Sequence, residues 1–355
     1  ADFLGPTRLY RNNGDGTFTE RAHESGIDTP GSLEHEDYGG VGLAFGDYDG
    51  DRRPDLFIQG WGWRRLYRNK GGGTFEDRTS AAGFEHPPGS INYSGFFFDH
   101  DNDGDLDLLA AQYVTASDER SGFGLTCACG HLLRPEGWSE RERSAATTIY
   151  RNNGDGTFTN LWRKTRLLPL GIMGFGRGDF DNDGREDLVL GAGGPYIQQV
   201  EPFLFYRNAG EGSFHNLTPL KMSVLWGKGH GVGFGDYDRD GHLDVILNNG
   251  SNLPGDLWPS LLLRNKGNAN HWLRVTLKAG PGTNSWAIGA KVRVFAGGMQ
   301  RLQEVSGDRS PILHFGLGPA RRADRVVVEW PDRRLTTTTL GGVDADQEIE
   351  VSSAR

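Results

Sequence analysis

The chain of 355 residues carries 47 acidic against 38 basic side chains, a formal net charge of −9. That balance argues against a nucleic-acid partner, because phosphates call for a basic face, and no run approaches the ~20 apolar residues of a membrane span. Glycine is the outlier at 54 residues, roughly twice its usual share, and 19 Phe, 10 Tyr and 9 Trp supply a core, so short strands and tight turns are expected rather than collagen or disorder.

The first element is LYRNNGDGTF at 9–18. It returns as LYRNKGGGTF at 66–75, IYRNNGDGTF at 149–158 and FYRNAGEGSF at 205–214, with a worn copy, LLRNKGN, from Leu262. The box arginines are Arg11, Arg68, Arg151, Arg207 and Arg264. Their spacing shows one interval lengthened by about 26 residues. An acidic box alternates with this one: DYDGDRRPD at 47–55, DHDNDGDLD at 99–107, DFDNDGRED at 179–187 and DYDRDGHLD at 236–244. A glycine–aromatic stretch precedes each acidic box, as in GVGLAFG at 40–46, and a short apolar run follows, as in Leu188-Val189-Leu190. Asp-Gly between β-prone runs is a hairpin signal. Each unit thus predicts four strands in ~57 residues, the size of a propeller blade, and no 3.6-residue period supports a helical solenoid.

The expected fold is all-β: a calcium-binding β-propeller with five repeat units visible and room for up to seven blades, then a small β domain. The boundary is placed between 1–269 and 270–355. An insertion at 114–147 reads as a lid or a surface loop. It holds Cys127 and Cys129, too close for an unstrained bridge and too few for a zinc site. Strands are expected at 272–278, 288–296, 300–305, 312–316, 325–330, 334–339 and 347–351, in a domain that packs on the propeller edge or lends it a strand.

The acidic boxes carry carboxylates at positions 1, 3, 5 and 9. They are Asp47, Asp49, Asp51 and Asp55; Asp99, Asp101, Asp103 and Asp107; Asp179, Asp181, Asp183 and Asp187; and Asp236, Asp238, Asp240 and Asp244. Such crowding repels itself unless a cation neutralises it. Calcium takes six to eight hard oxygens, and position 7 would add a backbone carbonyl from Arg53, Asp105, Arg185 or His242. Gly104, Gly184 and Gly241 suit the turn at position 6. Arg52 stands there in the first loop, with Pro54 two residues on, so that loop is expected to be the most distorted. Four structural Ca²⁺ would bring the net charge to about −1. A solvated acidic turn is the plainer alternative, weakened by four copies in register.

The alternating boxes resemble FG-GAP/VCBS repeats, the propeller units also found in integrin α subunits. Gly191-Ala192-Gly193-Gly194-Pro195 approximates the GAP element. The C-terminal part resembles the ASPIC/UnbV domain through Asn270-His271-Trp272-Leu273, Ala287-Ile288-Gly289-Ala290, the stretch 313–318 (LHFGLG) and Val328-Glu329-Trp330-Pro331. The pairing is that of the cartilage acidic protein and UnbV-like family. Trp286 intrudes before AIGA, and 307–311 replaces a longer family segment.

No hydrolase elbow, HExxH or P-loop is present. Arg177-Gly178-Asp179 is an RGD triplet, but its aspartate opens the third acidic loop. A ligand site is expected where the first strands begin, on the face opposite the acidic loops, because successive antiparallel strands reverse. Six residues before each first aspartate stand Val41, Tyr93, Met173 and His230, with Tyr38, Trp61, Trp63 and Tyr113 nearby. Aromatics and polar groups around a channel mouth make a plausible pocket.

Two functions follow from different classes. One is a calcium-stabilised binding module for a small hydrophobic molecule or a protein partner. The resemblance implies another: a cofactor-independent cyclase or pericyclase in natural-product biosynthesis, acting on a terpenoid- or polyketide-type substrate, with Tyr93, His230, Tyr38, Trp61, Trp63 and Tyr113 as candidates. A secreted or periplasmic location is expected. No signal peptide is visible, and a trimmed chain would show none.

Overall fold

The computed structural model describes residues 6–29, 40–60, 62–84, 91–114, 147–167, 171–193, 201–218, 223–250, 258–307 and 312–353. It opens with a hairpin of β1 (Tyr10–Asn12) and β2 (Phe18–Glu20). Blade one is a four-stranded antiparallel sheet of β3 (Gly40–Gly46), β4 (Asp55–Gly60), β5 (Trp63–Gly71) and β6 (Thr74–Asp77). Blade two repeats it with β7 (Ile91–Phe98), β8 (Asp107–Val114), β9 (Thr148–Asn152) and β10 (Phe158–Asn160). Blade three has β11 (Ile172–Gly178) and β12 (Asp187–Ala192). A short β13 (Glu201–Pro202) then precedes β14 (Leu204–Gly210) and β15 (Ser213–Asn216). β13 pairs with β16 (Trp226–Gly227). Blade four has three strands, β17 (Gly229–Gly235), β18 (Asp244–Asn249) and β19 (Leu261–Leu263). Helix is confined, among the described residues, to the single turn α1 (Trp162–Thr165) and a 3₁₀ turn at Ser223–Leu225.

The apolar runs become second strands for a simple reason: both faces of each are buried. In β12, Leu188, Leu190 and Ala192 join the core shared with blade two, while Val189 faces the core shared with blade four. In β8, Leu108 and Ala110 turn to blade one and Leu109 and Ala111 to blade three. Period-two alternation with apolar residues at every position gives a strand clamped between two sheets. The cores therefore lie between blades, and β3 packs on β7 as β11 packs on β17. The first-strand glycines allow this approach. A side chain at Gly174 would collide with the His230 carbonyl of the next blade.

Each first strand also bulges at one shared position, and β7 slips a second time between Ile91 and Asn92. The register slips between Gly40 and Gly42, Asn92 and Ser94, Ile172 and Gly174, and Gly229 and Gly231. The extra residues are Val41, Tyr93, Met173 and His230.

The box asparagines latch one blade to the one before. Asn208 is fully buried; its Nδ2 donates to His100 O at 2.7 Å in blade two and to Glu186 O at 3.2 Å in its own blade. Asn152 reaches Tyr48 O at 2.7 Å, and Asn265 reaches Phe180 O at 2.6 Å, in the same way. Each Oδ1 accepts the N–H two residues on, as from Gly210 at 2.9 Å.

The C-terminal domain has its own core, built around Leu273, Val292, Phe315, Val326 and Trp330. Its strands are β20 (His271–Lys278), β21 (Lys291–Ala296), β22 (Met299–Glu304), β23 (Ile312–Gly318), β24 (Arg322–Glu329), β25 (Thr337–Asp344) and β26 (Gln347–Ser352). They form two sheets, β23-β20-β26 and β22-β21-β24-β25. Two expected strands start late. Ala287 and Gly289 take positive φ, so β21 begins at Lys291, and the Asp332 turn, with Leu335 at φ 51°, delays β25 to Thr337. The domain lends the propeller-like part no strand among the described residues, and it lies on the face of the acidic loops rather than on an edge.

Asn208→Ala should lower stability in urea by about 2–4 kcal/mol, because it strands buried carbonyls as well as losing bonds. Asn12→Ala, at the same box position but exposed, should cost under ~0.5 kcal/mol. Equal costs would contradict the latch.

Candidate metal centres

The four acidic loops join the first and second strands of blades one to four, and each closes on its own carboxylates. The position 1 aspartate accepts the position 6 N–H: Arg52 to Asp47 at 2.8 Å, Gly104 to Asp99 at 3.1 Å, Gly184 to Asp179 at 2.7 Å and Gly241 to Asp236 at 3.0 Å. Position 5 accepts the position 7 N–H, as in Asp105 to Asp103 at 2.9 Å and His242 to Asp240 at 3.0 Å. The same bond is donated by Arg53 and Arg185. Position 9 ties the loop to the third strand. Asp187 accepts Phe180 N–H at 3.1 Å and Asn208 N–H at 2.7 Å, and Asp55, Asp107 and Asp244 do the same in their blades.

These bonds gather carboxylate oxygens within 4.8 Å of one another. The groups are Asp47, Asp49 and Asp55; Asp99, Asp101 and Asp103; Asp179, Asp181 and Asp187; and Asp236, Asp238 and Asp244. His100, Asp101 and Asp107 make a second grouping in loop two. Asp51, Asp183 and Asp240 fall outside these groups, and arginines pair with positions 3 and 5 alike. Arg207 meets Asp181 at 2.5 Å and Asp183 at 3.0 Å, Arg264 meets Asp238 at 2.5 Å and Asp240 at 3.2 Å, and Arg68 meets Asp49 at 2.5 Å. The hairpin places each box beside its own loop, so the pairs form within the blade. Blade two departs: Arg151 donates to Asn153, while His100 Nδ1 lies 2.5 Å from Asp107. Nothing in the box spacing announced His100, though it stands where the other boxes carry Tyr48, Phe180 and Tyr237.

Two features fit a hard divalent cation. Asp47 Oδ1, Asp99 Oδ1 and Asp101 Oδ1 are buried without a hydrogen-bond partner. Burial, followed by the neighbouring carboxylates, also pushes Asp55 up to about 8 and Asp103 to about 6, and raises Asp99, Asp179 and Asp187 well above the usual carboxylate range. Carboxylates held this close resist ionising together, and a hard cation with oxygen ligands relieves them.

Loop one closes with the same bonds as the others, contrary to the distortion expected from Arg52. That residue adopts φ 65°, the hand that glycine supplies elsewhere. Its guanidinium reaches Leu335 O, Thr336 O and Thr337 Oγ1 in the C-terminal domain.

Lys291 also meets loop one, and the other three loops are covered as well. Lys291 Nζ lies 2.8 Å from both Asp47 O and Asp47 Oδ2, Arg293 donates to Gly104 O at 2.8 Å, and Arg274 pairs with Asp236. His314, whose burial pushes it down to about 3, is neutral and donates from Nε2 to Asn182 Oδ1 at 2.8 Å. Asn182 Nδ2 in turn donates to Gly241 O at 3.0 Å in the next loop. The RGD triplet is closed off: Asp179 is buried in its loop, and Arg177 lies over the Phe96 ring at 4.4 Å.

At the opposite ends of the first strands, His230 is half-buried, with Nδ1 3.0 Å from Lys228 O. Trp63 is not at a channel mouth; it is buried with Leu56, Ile58 and Tyr67 between β1–β2 and blade one. Tyr38, Trp61 and most of the 114–147 insertion lie outside the described residues, as do the side chains of Val41, Tyr93 and Tyr113.

The FG-GAP-like repeat family matches residues 1–58, 47–110 and 139–190, and the ASPIC and UnbV family matches 280–355. The chain carries FG-GAP-like repeats and a C-terminal ASPIC and UnbV domain. Cartilage acidic protein 1 of Xenopus tropicalis is 26% identical over 334 residues, covering 88% of this chain and 45% of the relative. Its human counterpart is 26% identical over 362 residues, covering 98% and 40%. The chain thus spans less than half the length of these relatives. Among solved structures, an Agrocybe aegerita lectin described as recognising non-reducing terminal N-acetylglucosamine is 16% identical, covers 97% of this chain and 81% of that chain, and has a TM-score of 0.33, a level that carries no argument. The matched FG-GAP-like repeats include the first three acidic loops, and the fourth, at 236–244, repeats their pattern beyond the match. Lys291 and His314 fall within the ASPIC and UnbV match and Arg274 just before it, and box spacing gave no sign of any of the three.

Asp181→Ala should remove one bound ion of the four and leave the rest, read as metal content after gel filtration in calcium. Loss of all four, or of none, would contradict separate sites.

Proposed function

We propose that the chain is a calcium-stabilised, propeller-like module that binds a small molecule or protein partner on the face opposite its acidic loops. One observation carries the choice of face: the ASPIC and UnbV domain already contacts every acidic loop. The other ends of the first strands remain, and there each strand bulges at the same residue. Bulges re-aim side chains and gather beside binding sites.

Aspartates at positions 1, 3, 5 and 9, with the carbonyls of Arg53, Asp105, Arg185 and His242, would hold about four Ca²⁺. The unpartnered Asp47 and Asp99 oxygens support this reading. The ion supplies charge neutralisation and a rigid turn. The protein's part is to preform the turn: the position 9 aspartates fix it to the third strand, and the arginines hold the outer oxygens. Calcium in surface loops suits an extracellular or periplasmic setting, where the ion is plentiful, and the relatives' name places them in cartilage. No helix among the described residues is long and apolar enough to cross a membrane.

The cyclase reading gains no support. Trp63 is spent on the core, and the described residues assemble no aromatic pocket at the channel mouth.

A crystal soaked with indole as an aromatic probe should show density against Met173 and His230, and His230→Ala should abolish it without changing metal content. Density against the acidic loops instead would overturn the choice of face.

A further inference from the structure

Position 6 of the acidic loops serves two ends at once. Its left-handed φ makes the turn, which glycine adopts without strain. Its missing side chain is also where the C-terminal domain sits down. A Cβ at Gly104 would collide with Gln300 Nε2 and press on Arg293, one at Gly184 would collide with the Arg301 guanidinium, and one at Gly241 would collide with the Trp272 indole. Three sockets thus receive Trp272 from β20, Arg293 from β21, and Gln300 and Arg301 from β22. Loop one inverts the device: Arg52 fills its own socket and runs up into the domain. The plugs are locked in place. Trp272 stacks on His314 with centroids 5.9 Å apart, and Arg274 lies 5.1 Å from the Trp272 ring. Gly318 N–H donates to Asn182 O at 2.8 Å, and Arg301 and Lys291 are almost wholly buried.

Charge makes the seat conditional. Each loop holds four carboxylates, and the domain brings one cation to most of them: Lys291 at Asp47, Arg301 against loop three, Arg274 at Asp236. One lysine or arginine cannot offset four aspartates, of which those at positions 1 and 9 are the deeply set ones, even with the box arginine beside it. A divalent ion in the loop makes up most of the difference. The domain and the ion therefore need the same closed loop.

We propose that the C-terminal domain is a calcium-dependent cap: it docks on loops whose ions are in place, and while docked it keeps those ions from leaving. This rests on the calcium reading of the loops. An ion under a docked cap escapes only through local opening of the interface. Losing one or two buried hydrogen bonds from that interface raises the open fraction by about tenfold.

The test follows calcium release from the full chain into an excess of a fluorescent chelator by stopped flow. Two variants loosen the cap without touching a carboxylate. Asn182→Gly removes the bridge to His314 and Gly241 but keeps a residue at home at φ 55°, as Gly50 already is at the same position of loop one. Trp272→Ala pulls one plug from the other side. Both should release calcium about tenfold faster from loops three and four, with the number of bound ions unchanged. In the unmodified chain, chelation should speed hydrogen exchange in β20–β23, measured by mass spectrometry, so the proposal does not depend on either variant folding. Unchanged release rates with ions bound, or unchanged exchange on chelation, would overturn the cap. A chain that binds no calcium at all would overturn the reading beneath it, and the cap with it.

Discussion

Four carboxylates crowded into one turn, two of them at its buried base, and the turn repeated four times, set the terms for everything else. Position 9 is wholly buried in most loops because it must accept N–H groups from two strands. Position 1 is buried because it accepts the turn's own amide and lies beneath the C-terminal domain. Water cannot solvate these groups, and each raises the cost of ionising the next. The fold manages the strain with arginines outside and with backbone amides within. The remainder calls for a hard cation at the centre.

From that constraint the loops acquire a second role. They form the surface on which a separate domain stands, and the bonds that link loop to loop are the bonds that link loop to cap. Asn182 shows the economy of it: one side chain serves the neighbouring loop through Nδ2 and the cap through Oδ1, while its carbonyl accepts from Gly318. With this face occupied, the ligand face we propose is the one at the bulged ends of the first strands.

Much of this was legible in the residues, for reasons of period and repetition. The runs after the acidic boxes had no polar alternation, and two-sided burial of β8 and β12 is why. The glycine–aromatic stretches before the boxes became first strands that approach closely, as at Gly174. The carboxylate spacing pointed to the turn that the hydrogen bonds draw. What stayed hidden depends on contacts far apart in sequence. Lys291 and Asp47 are separated by 244 positions, and no local pattern pairs them. Trp63 read as a rim aromatic because its burial is decided by Ala22 and Ile27, from the turn that follows β2. Arg52 read as a flaw in its loop because its partners, Leu335 and Thr337, belong to another domain.

The most direct test of the central claim is calorimetry of the full chain in calcium, in magnesium and in chelator. Binding that favours the folded state raises its stability by ~2.7 kcal/mol per site at a hundredfold excess over Kd. Calcium should raise the melting temperature by well over ten degrees relative to chelator, magnesium by much less, and re-addition of calcium should restore it. A melting temperature indifferent to metal would mean that the buried carboxylates are satisfied by protons and arginines alone, and the account built on them would fail.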